Sequence, residues 1–341
     1  MIFGYLWVIL VKEKLMISFP AFTCKPYRDR VLPGEPKTWS EPAMPAGLSG
    51  RYLSAVRGGS DGNWVSGCNL NIITNDTTKP TDTWTRYGTS IAIRNKTLDY
   101  DGTYWCASDY VASAKLYTAT NPTLTWTART GPSGKHVTAL KYANNIWVAG
   151  TNDGYIYTAT NPTSTWTSRG QAGFGNQIND ISYGNGYWVA VGKYASVIPI
   201  TKFIYTDDPT SSWIQLDKAD IPIAVDLGGV DYGNGYWAAS HATGIITCKG
   251  APSGNWSTQG QAMSAPHTIA YGGGAWVCGG GNGVLYTCGA DPSAATAWTC
   301  RVLPSGGSNY IKDVKYYNGY WVAVGYNSAP TGYMATAKGG V

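Results

Sequence analysis

Along most of the chain, short apolar runs alternate with clusters of Gly, Asn, Asp, Ser, Thr and Pro. The stretch from Ile181 to Trp213 shows the unit most clearly. It reads Ile-Ser-Tyr-Gly-Asn-Gly-Tyr-Trp-Val-Ala-Val-Gly, passes through a loop, and resumes as Ile-Tyr-Thr-Asp-Asp-Pro-Thr-Ser-Ser-Trp. Runs this short, rich in β-branched and aromatic residues and bounded by turn formers, predict strands rather than helices.

The pattern recurs. Fourteen of the 15 Trp fall into two alternating series. The first is Trp64, Trp105, Trp147, Trp188, Trp237, Trp276 and Trp321, and the second is Trp39, Trp84, Trp126, Trp166, Trp213, Trp256 and Trp298. Each repeat of roughly forty residues carries one Trp of each kind, a period that suits a four-stranded propeller blade. A first strand ends near Tyr100, Tyr142, Tyr183, Tyr232, Tyr271 or Tyr316, while the first repeat has Gly58 there. A tight turn follows, built of residues that tolerate positive φ, such as Asn144-Asn145 and Asn185-Gly186. The second strand opens with the first-series Trp, and two residues on stands a small side chain: Ser66, Ala107, Ala149, Ala190, Ala239, Cys278 or Ala323. A small residue at one register in every repeat predicts close contact between sheets. The third strand is Ile-Tyr-Thr or similar, and the fourth opens with the second-series Trp. Between them stands a Pro, at 36, 80, 122, 162, 209, 252 and 292, which suits a turn and not a central strand.

The first repeat signal, Pro36-Lys37-Thr38-Trp39, is a fourth strand with no blade before it, and Tyr333–Ala337 is a third strand with none after it. The expected fold is therefore an all-β, seven-bladed β-propeller of four-stranded blades over residues 33–341. Its ring is closed by a composite blade in which residues near 36–42 pair beside 333–337. Such closure hides sheet edges that would otherwise recruit other chains.

The third-to-fourth turns resemble the Asp-box of the BNR, or sialidase-like, propellers. Thr206-Asp207-Asp208-Pro209-Thr210-Ser211-Ser212-Trp213 keeps the Thr, Asp and Trp of that pattern, with Thr for its Gly, while Asn121 and Asn161 replace the Asp elsewhere. The motif is structural in that family, so the resemblance implies fold and almost nothing of function. The Tyr-Gly-Asn-Gly-Tyr-Trp wording is also similar to repeats in propellers of phage tails and bacterial surface-binding proteins.

Composition narrows the function classes. Charged residues make up 13% of the 341 residues and the net charge is +5. Folded proteins carry about a quarter charged residues, so this surface is polar through hydroxyls and amides. No basic cluster tracks a phosphate backbone, and nucleic acid is not expected as a partner. Residues 1–11 are almost wholly apolar but too few to span a bilayer, which needs about 20; neither flank fits a signal peptide. Residues 1–32 are read as a docking or anchoring segment, alternatively with Met16 as the natural start and an upstream extension before it.

The seven Cys follow the repeat rather than a disulfide framework and are expected to be buried thiols. Cys288 and Cys300, which flank one hairpin, are the pair to check for a bridge. The spacing supports no zinc site, and neither metal nor cofactor is expected. His136 and His267 both fall in links between repeats and are read as surface or channel-rim residues. The sequons at Asn75, Asn95 and Asn255 are near chance in a Thr-rich chain.

A sialidase would need an arginine triad, and Arg86, Arg129, Arg169 and Arg301, four of only nine Arg, lie beyond the outer Trp and away from the channel. Paired glycosidase carboxylates would have to come from Asp180 and Asp313, which share a register, with Asp226 nearby. Their bland reading is hydrogen bonding within the channel. The long and variable second-to-third loops should share one face with the links between repeats. Ligand contacts are expected there, at Tyr110, Asn152, Asp153, Lys193, Tyr194, His241, Asn282, Tyr326 and Asn327. The expected function is non-enzymatic surface recognition or a structural role. The chain would be a phage tail or virion component that binds a host-surface glycan or protein and holds other virion proteins through residues 1–32. A secreted lectin and a glycoside hydrolase are the alternatives.

Overall fold

The structure is a computed structural model. It describes residues 35–339, apart from positions 37, 70, 88–90, 110–114, 133, 172–175, 194–202, 217–219, 222, 224, 260–262, 306, 308 and 330. The apolar segment 1–32 thus lies outside the described residues. Regular structure among the described residues is strand, save one 3-10 turn at Ala295–Ala297.

The strands form antiparallel units in which neighbours in sequence are neighbours in space. Leu53–Gly58, Trp64–Cys68, Asn71–Asn75 and Thr85–Tyr87 make the first. Ile178–Gly184, Leu227–Gly233 and Thr268–Gly272 each begin another four-stranded sheet. An eight-stranded sheet consists of two such units whose first strands, Ile93–Tyr100 and Val137–Ala143, meet at one parallel bridge, Lys96 to Ala139. The last sheet has three strands, Tyr310–Tyr317, Tyr320–Tyr326 and Gly332–Lys338. Its outer edge is taken by the N-terminal stretch: Ser40 and Thr336 exchange both backbone hydrogen bonds at 2.8 Å. The first strands touch in chain order, and Tyr310–Tyr317 comes back to touch Leu53–Gly58. The result is an all-β, propeller-like ring with the first strands innermost.

The repeating residues explain how neighbouring sheets fit. All first-series Trp are fully buried. Each Tyr at the end of a first strand faces the Trp across the hairpin, with ring centroids between 4.6 and 5.1 Å apart. Such aromatic cross-strand pairs stabilise a sheet beyond their buried area. The first unit lacks this Tyr for a reason: a Cβ on Gly58 would lie 2.6 Å from the Tyr317 ring of the last unit. Elsewhere the two are exchanged: Gly184, Gly233 and Gly272, each one residue past its own Tyr, lie under Tyr232, Tyr271 and Tyr316 of the following unit. The Tyr-Gly dipeptide is thus an interface between sheets: the Tyr packs on its own Trp, and the Gly makes room for the next Tyr. Every residue of the small-side-chain register, from Ser66 to Ala323, is completely buried.

The turns follow their sequences. Asn144-Asn145, Asn185-Gly186, Asn234-Gly235 and Asn318-Gly319 all have positive φ at both central residues, as tight hairpins require. The fourth strands begin one residue after the second-series Trp, at Thr85, Thr127, Thr167, Ile214, Ser257 and Thr299, rather than at the Trp itself. The Trp belongs to the turn. Trp84, Trp126, Trp256 and Trp298 donate their indole N–H to the carbonyls of Pro80, Pro122, Pro252 and Pro292 at 2.9–3.1 Å. Asn121, Asn161 and Asp208 accept from the backbone and hydroxyl of the Thr two residues on. Arg129, Arg169 and Arg301 bond Thr118, Thr158 and Thr287 on the third strands, a structural duty repeated around the rim.

The cysteines depart from expectation in one respect. Cys68, Cys106, Cys248, Cys278 and Cys288 are free and buried. Burial pushes the Cys278 and Cys288 thiols up to about 12. Cys288 donates to the Asp291 carbonyl at 3.1 Å, so it is not bridged to Cys300. Cys300 is disulfide-bonded.

Contact between sheets at the second strands gives the first prediction. A Cβ on Gly150 would lie 2.6 Å from the Ile178 side chain of the next unit. Gly150→Ala, favourable in an isolated strand, should cost roughly 1–3 kcal/mol by overpacking. In a double-mutant cycle with Ile178→Ala, denaturant titration should show that the two losses are less than additive; simple additivity would refute the contact.

Candidate functional site

The inner strands carry an alternating set of charges down the axis. Arg57 pairs with Asp99 at 2.6 Å, Lys96 with Asp180 at 2.7 Å and Lys315 with Asp313 at 3.1 Å, while Lys141 reaches Asp99 at 3.8 Å. Each Asp also accepts a backbone N–H from the next unit in the ring: Tyr142 on Asp99, Val230 on Asp180, Tyr271 on Asp231 and Val56 on Asp313, at 2.8–3.1 Å. These carboxylates hold adjacent sheets together, the bland reading given to Asp180 and Asp313 from sequence. Burial alone would raise the Asp99 carboxyl, but Arg57, then Lys141 and the two backbone donors, hold it below the usual carboxylate range. Burial lowers Lys141 more than Asp99 restores it. Lys315, although burial opposes its charge, is raised by Asp313, Asp180 and Asp231. The space left in this charged interior is small, about 220 Å³.

Lys96 closes one end of it. From the second unit its ammonium reaches Asp180 in the fourth, the Gly228 carbonyl in the fifth at 2.9 Å and the His267 carbonyl before the sixth at 3.3 Å. A Cβ on Gly229 would lie 2.6 Å from that ammonium, which accounts for the Gly228-Gly229 pair.

Above Lys96 opens a cavity of about 630 Å³, lined by Tyr52, Ser54, Asn69, Asn95, Lys96, Gln177, Asn179, Gly228, His267, Lys312 and Tyr326. A repeated backbone irregularity builds it. In the first strand, registry with the second slips by one residue between Leu53 and Ala55, Ile178 and Asp180, Leu227 and Gly229, and Ile311 and Asp313. The residues passed over are Ser54, Asn179, Gly228 and Lys312, and all four line the cavity. A β-bulge leaves one residue out of the ladder and re-aims its side chain. The second unit makes a longer excursion between Ile93 and Leu98, with Asn95 at φ 59°, and this brings Asn95 and Lys96 to the same mouth. One side of the mouth is aromatic. Tyr52 meets Tyr326 edge-on at 4.5 Å, and Tyr310 stacks on Tyr326 at 5.3 Å. Tyr52 and Tyr310 are 38% and 37% exposed, enough to offer ring surface to a ligand.

The site lies on the face expected from the loop lengths. Second-to-third loops bond to the links between repeats, as in Asn152 N–H to the His136 carbonyl and Lys193 N–H to the Gln177 carbonyl, both 2.9 Å. Of the nine residues proposed from sequence, Tyr326 lines the cavity. The others described do not. Asn152 and Asp153 occupy an outer loop, where Lys135 pairs with Asp153. Asn282 donates to Ser264 at 2.7 Å, and Asn327 caps its own turn through Ala329 and Thr331. Lys193 is exposed. His241 is buried at the end of its strand, where it cannot present a free ring to a ligand. Tyr110 and Tyr194 lie outside the described residues. The lining residues Tyr52, Ser54, Asn69, Asn95, Lys96, Gln177, Asn179, Gly228 and Lys312 were not proposed; His267 was read as rim. Their signal was a polar or glycine residue breaking the apolar start of each first strand, as in Gln177-Ile-Asn179-Asp180 and Tyr310-Ile-Lys312-Asp313.

Among the described residues, no cluster of His, Cys, Asp or Glu could hold a metal ion, and no helix is long and apolar enough to cross a membrane.

No family model and no curated protein matches the chain. Solved structures do. YCF48 bound to D1 peptide superposes with a TM-score of 0.67 at 13% identity, covering 90% of this chain and 99% of that one. YCF48 from Cyanidioschyzon merolae gives 0.67 at 11% identity, covering 89% and 99%. The RRP9 WD40 repeats give 0.65 at 9% identity, covering 89% and 100%. At such identities the likeness is one of fold: this chain is a propeller-like β-repeat protein.

Two predictions concern the mouth. Lys96 and Asp180 are both buried, so Lys96→Met strands a carboxylate. It should destabilise the protein by about 3–5 kcal/mol in urea titration, and adding Asp180→Asn should recover part of that; a neutral Lys96→Met would refute the axial tie. His267 is held down to about 4, by burial first and then by Lys312 and Lys96. The unfolded chain, with an ordinary imidazole near 6.5, binds its proton first. Stability from this residue is therefore complete above pH 6.5 and is lost as pH falls towards 4. Burial lowers His241 as well, and it adds to the same window. His267→Gln should flatten the fall in denaturation midpoint between pH 7 and 4.5 more than His241→Gln does.

Proposed function

We propose that the chain is a seven-bladed recognition propeller that binds a glycan in the channel-mouth cavity without turning it over. The observation that carries this is the mouth itself: bulges at one register of the first strands deliver side chains to one concave site. Concave sites with a few converging polar groups are where small ligands bind. Three Tyr rings beside Asn and Gln amides offer a sugar both a flat apolar face and hydrogen bonds. The non-enzymatic reading is supported by the state of Asp180 and Asp313. A glycosidase needs one carboxylate free to give a proton and another to act on the sugar or water, and both are committed to lysines and backbone N–H groups.

On this reading the third-to-fourth turns are divergent Asp-boxes, and the chain is a component of a phage tail or virion surface, with the host cell supplying the glycan. The likeness of its Tyr-Gly-Asn-Gly-Tyr-Trp repeats to phage propellers and the apolar segment before the ring, suited to docking on other virion proteins, favour that setting. A second reading, a peptide at the same mouth, is favoured by the structural likeness to YCF48 bound to D1 peptide.

The test is binding of the full chain to whole bacterial cells and to a glycan panel, with turnover of the same glycans followed in parallel. Saturable binding without turnover is expected, and Tyr52→Ala and Tyr326→Ala should each weaken it about tenfold, or about 1.4 kcal/mol. Turnover, or binding indifferent to both substitutions, would overthrow the assignment.

A further inference from the structure

Three of the bulge positions share a structural duty that Gly228, having no side chain, cannot perform and that Lys312 does not. Ser54 donates to the Ile93 carbonyl at 2.8 Å, Thr138 to the Ile178 carbonyl at 2.6 Å, and Asn179 to the Leu227 carbonyl at 2.7 Å. In each case the side chain passed over by the ladder ties its sheet to the first strand of the next. Lys312 stands at the same register in the last unit. Among the described residues its ammonium makes no such bond and has no acidic partner. It lies instead over the Tyr326 ring, 5.5 Å from the centroid, and lines the mouth.

Its surroundings are electropositive. Lys96 is neutralised by Asp180, but no carboxylate lines the cavity among the described residues. Burial lowers Lys312, and Lys96 lowers it further. A half-buried ammonium without a counter-ion is costly, and an arriving anion would remove that cost. The anion would meet Lys312 where the Tyr rings begin, and the amide of Asn95 lines the same cavity.

Resting on the glycan reading above, we propose that the ligand is an acidic glycan whose sugar carboxylate is held by Lys312, with the sugar face against Tyr52 and Tyr326. A single uncompensated ammonium matches a single negative charge, and the aromatic pair beside it matches the ring that carries the charge. A sulfate ester presents the same charge, and the test separates the two.

The full chain would be titrated on a panel of matched oligosaccharides: carboxylated, the same sugars with the carboxyls reduced to alcohols, and sulfated. Carboxylated members should bind at least tenfold more tightly than their reduced counterparts. Lys312→Gln, with circular dichroism and melting temperature unchanged, should abolish that preference while leaving binding of the reduced sugars in place. Equal binding of carboxylated and reduced sugars, or preference for the sulfated set, overturns the carboxylate assignment while the glycan reading stands. Failure of every sugar to bind overturns both. A preference that survives Lys312→Gln removes Lys312 from the site.

Discussion

The ammonium of Lys96 is the point at which the ring and its mouth depend on one another. It crosses the axis from the second unit to bond Asp180, the Gly228 carbonyl and the His267 carbonyl, so four units meet on one nitrogen. A ring of sheets fixes each neighbour pair but leaves the axis to be filled, and polar inner strands cannot fill it with apolar side chains. Here it is filled by charge. The arrangement is stable because Asp99, Asp180 and Asp313 each have both a cation and a backbone donor from the next sheet, which compensates burial better than the ion pairs alone would. The same bond gives the mouth a floor, so the site above is a cup rather than a pore.

The architecture was legible because its packing is done by residues that repeat. Trp64 and its six counterparts must be buried, their Tyr partners must cover them, and the Gly after Tyr183, Tyr232 and Tyr271 must clear the next sheet. Each constraint repeats at the same spacing and leaves its mark on the sequence. The composite sheet was legible for the same reason, since the fourth-strand signal at Trp39 has no blade before it and the third strand at Tyr333–Ala337 has no fourth after it. Gly58 looked like a gap in the Tyr series. Its cause, Tyr317 on the last unit, lies at the other end of the chain and shows itself once the ring is closed.

The site was less legible. Loop length pointed to the face on which the cavity opens, but of the described residues it singled out only Tyr326 lines that cavity. Asn152, Asp153, Asn282 and Asn327 spend their polar atoms holding their own loops or the adjoining links. Tyr326 reached the cavity because it ends a second strand beside the last bulge. The bulges themselves are invisible to period-two reasoning: a one-residue slip reads in the sequence as a polar residue where an apolar one belongs. Asn179 and Lys312 are therefore overshadowed by the adjacent Asp180 and Asp313, whose carboxylates carry the more obvious chemistry and tie neighbouring sheets together.

That division follows from what a bulge does. A residue inside the ladder is constrained by the pairing register, by the sheet beneath it and by the next unit. Ile178, Leu227 and Ile311 are accordingly large and apolar, and fully buried. The residue that the ladder passes over is released from pairing, and across the units it is Ser54, Thr138, Asn179, Gly228 or Lys312. Some of these still tie one sheet to the next, but the tie requires only a short donor. A fold that holds its sheets by Trp, Tyr, Gly and Asp can therefore vary the passed-over residue at little structural cost. The residues at Lys312 and Asn95 can therefore change while the ring that presents them stays as it is, whereas the buried Lys96–Asp180 pair has no such freedom.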